Sequence, residues 1–331
     1  MDKYLIFRTD RIGDFIFSRM LTQAIKKKNS KNLIDIVCSK YNHDYIKKYK
    51  DIRNIYPFDK YDPILLFKNF MKINAENYDY IIILDGKRRS LFYSVFLKSK
   101  YKLAVLKDFR PNLFLKLFCD KYFINTELAS QYSNFSTLCN YLHLIIPNKV
   151  DYFNSHYIQN DKYKTFTKGA LLLHLDEKWF EGLYHHDYKY MNLNYKNFDF
   201  FIKNLFRKFK KRIVITTGTK QIKALDKIIN FHFKKKQNKI FYSKKYSKKL
   251  IFISKTSFFE LESITKNCKL IICCEGAISH VSHALKVDTI ALVNKSNFKT
   301  ASYWTNHMDQ VRLVFREKIE NVSKQINNVR F

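Results

Sequence analysis

The sequence predicts an α/β protein of two domains of similar size, each a parallel sheet with helices packed on it. Three observations carry that prediction. Short apolar runs that read as strands alternate with amphipathic stretches at helical spacing, first from Tyr4 to Leu106 and again from Gly169 onward. The 331 residues suffice for two cores of ordinary size. With 6 Gly, 4 Pro and 46% hydrophobic residues, the chain suits neither a loop-rich β-sandwich nor a disordered polymer.

Taken in order, Tyr4-Leu-Ile-Phe7 is a strand, Arg8-Thr-Asp-Arg-Ile-Gly13-Asp14 a polar turn, and Phe17, Met20, Leu21, Ala24 and Ile25 the apolar stripe of a helix. Asp14 then lies at a helix N-terminus, where the dipole favours its charge. It reads either as a cap of its own helix or as a general base at the mouth of the sheet. Gly13 would let the backbone approach a ligand closely, and Arg11 sits beside it. Strands follow at 33–37, 52–58, 80–84 and 101–106, separated by helices at 42–50, 64–76 and 90–98. Asp85-Gly-Lys87-Arg88-Arg89 occupies a strand's carboxyl end, so Lys87 and Arg88 are candidates to hold an anionic acceptor, with a solvated loop as the alternative. Aromatic and leucine positions in 108–146 suggest irregular helices covering an acceptor cleft. The polar stretch from Pro147 to Lys168 contains the junction, with domains at 1–150 and 169–331 and the linker at 151–168.

The second alternation opens with the strand Gly169–His174, followed by Lys178-Trp179 and a His- and Tyr-rich loop to Asn194. An amphipathic helix spans Phe198 to Phe206, and the strand from Arg212 ends in the small turn Thr216-Thr217-Gly218, with a helix at 220–231. Lys234 to Lys249 is almost purely basic and reads as a solvated insertion loop, with a nucleic-acid patch as the alternative. A strand at 250–253 leads to Ser257-Phe-Phe-Glu260, a capping box that opens a helix at 258–266. Next comes the stretch on which the domain turns: a buried strand to Cys274, then Glu275-Gly276-Ala277, then a helix through Ile278, Ser279, His280 and Val281. Small residues ahead of helix-start amides, at the carboxyl end of a parallel strand, suit a phosphate. A strand near 287–293, another at 311–315 and a helix at 317–329 close the chain.

Composition bounds the setting. The formal charge of +32 fits a polyanionic partner, an anionic surface, or a codon bias toward Lys, Asn, Ile, Tyr and Phe, all abundant here. No recognisable nucleic-acid module accompanies the charge, so nucleic acid is not expected as a partner. The start reads directly into a strand, no apolar run reaches about 18 residues, and the 6 Cys lack paired spacing. A cytoplasmic protein is expected, with room for peripheral contact at an anionic inner membrane face. His280 and His283 stand at i, i+3 with Cys273, Cys274 and Glu275 upstream, a possible zinc set; on a buried strand, thiols act instead as small hydrophobes, and no metal is expected. Trp179 reads as a packing anchor, or as a platform for a base.

These segments, in this order, carry a resemblance. Arg8-Thr-Asp-Arg-Ile-Gly-Asp14 before a helix resembles the N-terminal signature of the heptosyltransferase-like glycosyltransferases, family 9, of the GT-B fold. His174 with Lys178-Trp179 resembles the family's H…KxW segment, one residue tighter. Thr216-Thr-Gly218 resembles its GG turn, and Glu275-Gly-Ala-Ile-Ser-His280 its D-[ST]-G-x-x-H loop, with Glu for Asp, Gly for the hydroxyl residue and Ala for Gly. The resemblance implies two Rossmann-like domains facing a central cleft, the first binding the acceptor and the second a nucleotide-sugar. It implies inverting transfer of heptose or a related sugar to a hydroxyl of a bacterial lipopolysaccharide, capsule or similar surface glycan, with neither cofactor nor metal. Asp14 would be the base. Lys178 and the amides of Ala277 to His280 would meet the diphosphate, Glu275 the donor sugar, and Gly276, Thr217 and Gly218 would line the donor site. A member that binds nucleotide or glycan without turnover is the alternative.

Overall fold

A computed structural model of the chain describes residues 1–107, 118–125, 130–151, 162–180 and 191–331. Most of the predicted His- and Tyr-rich loop, part of the predicted cover at 108–146 and part of the linker lie outside the described residues. The chain divides into two compact units, one of Met1–Ser155 with Tyr303–His307, the other of His156–Ser302 with Met308–Phe331.

The first unit runs β1 (Lys3–Arg8), α1 (Ile12–Lys28), β2 (Leu33–Ser39), α2 (Lys40–Ile46), β3 (Asn54–Phe58), α3 (Pro63–Asn74), β4 (Tyr78–Ile83), α4 (Arg88–Val95), β5 (Ser99–Lys107), β6 (Lys121–Asn125) and α5 (Gln131–Tyr141). The strands form one sheet in the order β3-β2-β1-β4-β5-β6, parallel at every pairing. Central β1 buries Tyr4 to Phe7, which is why it reads as an unbroken apolar run and not as an alternation. Its successor α1 buries the predicted stripe and places Lys26, Lys27 and Lys28 in its last turn, where the dipole favours cations. Residues 303–307 complete this unit. The rings of Trp304 and His307 lie 5.7 and 5.6 Å from Phe17, and Asn134 Nδ2 donates to the Tyr303 hydroxyl at 3.1 Å.

One expectation fails here. Within 108–146, the described residues form a parallel edge strand, β6, and a regular helix, α5, in place of irregular helices. Tyr122, Phe123 and Ile124 are strand-forming types that gain a partner in β5, and Ser130 caps α5 by accepting the Ser133 N–H at 3.0 Å.

The second unit runs β7 (Leu171–His174), α6 (Phe198–Phe209), β8 (Ile213–Thr216), α7 (Lys223–His232), β9 (Phe233–Gln237), β10 (Ile240–Ser243), β11 (Ser247–Ile253), α8 (Phe258–Asn267), β12 (Leu270–Cys274), α9 (Ala277–Ala284), β13 (Asp288–Val293), α10 (Phe298–Thr305), β14 (Val311–Phe315) and α11 (Ile319–Asn328). Its sheet has the order β14-β13-β12-β7-β8-β11-β10-β9, parallel as far as β11 and antiparallel beyond. The lysine-rich segment is therefore not an insertion loop. It extends the sheet as β9, β10 and the start of β11, because Phe233, Ile240 and Leu250 are buried while the intervening lysines stay in water. Lysines along the outermost strand also discourage further pairing. The predicted capping box is present: Ser257 Oγ accepts the Glu260 N–H at 3.2 Å, and Glu260 Oε2 accepts the Ser257 N–H at 2.8 Å. Helix α10 was not anticipated from the sequence.

Both sheets reverse their winding once. In the first, successive strands go to one side of β1 and then, from β4, to the other; in the second the same reversal falls between β7 and β12. A crevice at the carboxyl ends of the strands belongs to each reversal.

Candidate functional site

At the crevice of the second unit, two loops meet. Leaving β7, the chain makes a 3₁₀ turn at Glu177–Trp179, with Asp176 Oδ1 accepting the Lys178 N–H at 3.1 Å. Trp179 is buried and packs on Phe201, its ring 6.0 Å away, so it anchors the turn in the core. The turn aims Lys178 at the loop leaving β12, where its ammonium donates to the main-chain carbonyl of Glu275. Gly276 makes room for it: a Cβ there would stand 2.7 Å from Lys178 Nζ. Helix α9 then begins with no side-chain cap. The amides of Ala277 and Ile278 have no intrahelical acceptor by position, whereas the Ser279 N–H already donates to the Gly276 carbonyl at 3.0 Å. Cation, open glycine and helix-start amides therefore share one corner.

The side chains of Ile278, Ser279 and His280 are buried, which leaves backbone at 276–278 to face a ligand. Ser279 Oγ sits 3.9 Å from Cys273 Sγ, and His283 Nδ1 lies 3.3 Å from Gln310 Oε1. Burial pushes the Cys273 thiol up to about 12. Among the described residues, no group of three or more His, Cys, Asp or Glu side chains is placed to hold a metal ion.

Lys178 keeps its charge at the corner. Burial pulls the Lys178 ammonium down, but Asp176 and Glu275 outweigh it, so Lys178 stays above the ordinary lysine value. Burial raises Asp176 to about 6 against the opposing pull of Lys178. His174, buried at the end of β7 with Nδ1 3.0 Å from Thr216 Oγ1, is lowered to about 4 by burial and then by Lys178. It is neutral at physiological pH. Asp176 is the residue that sequence reasoning passed over; its signal was an acid two positions before the lysine.

Thr217 and Gly218 follow the next strand over, β8. The Thr217 hydroxyl accepts the Lys255 N–H at 3.3 Å and donates to the Gly218 carbonyl at 3.1 Å, while its own carbonyl accepts the Thr256 hydroxyl at 2.5 Å. These bonds tie the turn to the end of β11. Gly218 faces open space, since a Cβ there would meet nothing within 4 Å.

The crevice of the first unit is built the same way from the loops after β1 and β4. Arg8 is buried and organises it, donating from Nη1 to the Leu84 carbonyl at 2.8 Å and to Asp10 Oδ2 at 3.2 Å, and from Nε to the Asp14 carbonyl at 3.0 Å. Its Nη2 lies 3.8 Å from Asp14 Oδ1. Asp14 is the third residue of α1, and its Oδ2 accepts the Arg11 N–H at 3.2 Å, so the cap predicted for it is made. Gly13 lies inside the first turn of that helix, not in a preceding loop. Lys87 turns inward, with Nζ 2.5 Å from Asp10 Oδ1 and 3.0 Å from the Thr9 carbonyl. Buried Asp85 accepts from Thr9 Oγ1 at 2.5 Å and Ser90 Oγ at 2.7 Å. Arg11 and Arg88 stand exposed at the rim.

No family model matches the chain. The search of curated proteins likewise gives no match. Solved structures do match along nearly the full length. A family 9 glycosyltransferase from Veillonella parvula superposes with a TM-score of 0.70 at 13% identity, covering 100% of this chain and 90% of its own. The fold is that of the GT-B glycosyltransferases. Two E. coli proteins support the same conclusion: heptosyltransferase WaaC with ADP, at TM-score 0.64 and 12% identity over 98% of this chain and 96% of that one, and ADP-heptose heptosyltransferase II, at 0.68 and 12% over 98% and 97%. The GT-B fold also extends to a UDP-N-acetylglucosamine 2-epimerase from Listeria monocytogenes, at 0.58 and 10% identity over 98% of this chain and 86% of that one. Among the described residues, no helix is long and apolar enough to cross a membrane.

Proposed function

We propose that this GT-B chain is a glycosyltransferase that moves heptose or a related sugar from a nucleoside-diphosphate-sugar to a hydroxyl of a bacterial lipopolysaccharide, capsule or similar surface glycan. The observation that carries the reading is the corner made by Lys178, the Glu275 carbonyl, Gly276 and the start of α9. E. coli WaaC, of the same fold and solved both with ADP and with an ADP-heptose analogue, supports a diphosphate there.

The chemistry needs one base and one positive potential. The second unit holds the donor, its diphosphate on Lys178 and the amides of Ala277 and Ile278, with Glu275 at the sugar. The first unit holds the acceptor at its rim near Arg11 and Arg88. Asp14 takes the proton of the acceptor hydroxyl as that oxygen forms its bond to the anomeric carbon, from the face opposite the leaving group. The bond from that carbon to the diphosphate oxygen breaks, and Lys178 with the α9 dipole stabilises the negative charge released. Configuration inverts, and no metal is called for, because fixed donors and a lysine meet the diphosphate. The acceptor is lipid-borne, and the protein works against an anionic membrane face.

A second reading, binding without turnover, is favoured by Gly276, which stands where the family pattern has a hydroxyl residue. One experiment separates the two. Thermal unfolding is measured with a panel of nucleoside diphosphates and nucleotide-sugars, and hits are then assayed for sugar transfer. A ligand at 100-fold its Kd adds about 2.7 kcal/mol. A shift that Lys178→Met reduces, with transfer by the wild type, is the expected result. A shift without transfer supports a nucleotide binder, and no shift with any nucleotide overturns the transferase and leaves a glycan binder.

A further inference from the structure

The first unit carries an exposed apolar face that the proposed chemistry does not use. On α3, Ile64, Phe67 and Met71 share the outward side, while Asn69 and Ile73 are buried on the other. Helix α4 lies alongside: the Tyr93 hydroxyl donates to the Leu66 carbonyl at 2.9 Å, and Asn74 Nδ2 to the Phe96 carbonyl at 3.2 Å. From α4 and its end project Phe92 and Phe96, their rings 5.3 Å apart. All five of these side chains keep more than half of their surface in water, as does Tyr61 just before α3. Large apolar groups gathered on two packed helices mark a contact surface, where singly scattered ones would not.

Cations border this face. Lys68 and Lys72 run along one flank of the α3 stripe, Lys60 stands at its entry, Arg89 lies in the first turn of α4, and Lys98 follows it; all are exposed. The acids of the same stretch are already engaged: Asp62 caps α3 by accepting the Leu65 N–H at 2.9 Å, and Asp59 lies 4.0 Å from Lys40.

We propose that α3 and the outer side of α4 seat the protein on an anionic phospholipid bilayer. Phe67, Met71 and Phe96 enter the boundary between headgroups and acyl chains, and the lysine and arginine heads meet lipid phosphates. The inference rests on the membrane contact in the proposed function and is independent of the transfer chemistry. Charge selects the occupant. A second copy of this face, related by a two-fold axis, would set the same cations against one another, on a chain of formal charge +32. A headgroup layer of opposite sign satisfies both the apolar stripe and its border.

The test is flotation of the full chain with vesicles of equal parts phosphatidylglycerol and phosphatidylethanolamine, against vesicles of phosphatidylcholine alone. The wild type is expected to float with the anionic vesicles, much less with the neutral ones, and less as salt is added. Phe67→Ser with Met71→Ser, and separately Lys68→Glu with Lys72→Glu, should each reduce binding about tenfold or more at an unchanged melting temperature. Phe231→Ser removes an equally exposed aromatic of the second unit and should bind as wild type. No flotation of the wild type would overturn the membrane contact itself. Wild-type flotation that survives both double substitutions, or that Phe231→Ser impairs equally, overturns the assignment to this face while the membrane contact stands. A dimer in solution that Phe67→Ser with Met71→Ser dissolves overturns it in favour of a second copy.

Discussion

Lys178 reaches the main-chain carbonyl of Glu275 across the open side of Gly276. Three residues from two loops thus meet at the proposed anion site, and each can be altered separately. Lys178→Met keeps the aliphatic stem and removes the charge, so nucleoside diphosphate affinity should fall about 10- to 100-fold, the worth of a charge-assisted hydrogen bond. Gly276→Ala should weaken binding in the same direction, because its methyl group displaces the ammonium. Titration calorimetry of the two variants checks both, and wild-type affinity in Lys178→Met would remove the lysine from the site.

The Asp14 carboxylate has two roles to separate. Asp14→Asn can still accept the Arg11 N–H but cannot take a proton, so stability should stay near wild type while transfer falls about 10²- to 10⁴-fold. Asp14→Ala loses the cap as well and should unfold about 1 kcal/mol more easily. Equal transfer rates in wild type and Asp14→Asn would leave the residue as a helix cap alone.

The corner also sets an acid profile. His174 binds fewer protons folded than unfolded between about 4 and 6.5, so its contribution is lost as pH falls through that window. Asp176 binds more protons folded than unfolded between 3.8 and about 6, so its contribution grows as pH falls. The two slopes oppose each other. Asp176→Asn should therefore lose stability more steeply than wild type on acidification from 6 to 4, and His174→Gln less steeply, each by on the order of 3 kcal/mol across the window. Urea denaturation at a series of pH values reads the difference, and parallel profiles for all three proteins would refute it.

Ser257 offers a control away from the site. Ser257→Ala removes one half of the α8 capping box and should cost about 1 kcal/mol in urea denaturation with nucleotide binding unchanged.

What the sequence disclosed follows from how locally each feature is encoded. Buried parallel strands such as Leu270–Cys274 announce themselves as apolar runs, and the Ser257–Glu260 cap is written within four residues. The carboxyl ends of β1, β7 and β12 were legible because an apolar run stops at each. Strand β9 was hidden, since one buried residue, Phe233, followed by exposed lysines gives no alternation to detect. Strand β6 was hidden for a different reason: its identity depends on a partner, β5, that the segment itself does not specify. The Lys178–Glu275 bond spans 97 positions, and sequence supplied its two ends without their meeting. Asp10 and Arg8 were read as turn residues, yet the buried guanidinium fixes the geometry of the whole first crevice.

Residues 303–307 belong to the first unit, although the chain on either side of them belongs to the second. Modular exchange is constrained by that return. A hybrid that grafts a foreign second unit after Ser155 would also import a foreign counterpart of Trp304 and His307, the rings that cover Phe17. Recombination between such proteins must therefore splice the gene at three places, or the two halves must be inherited together.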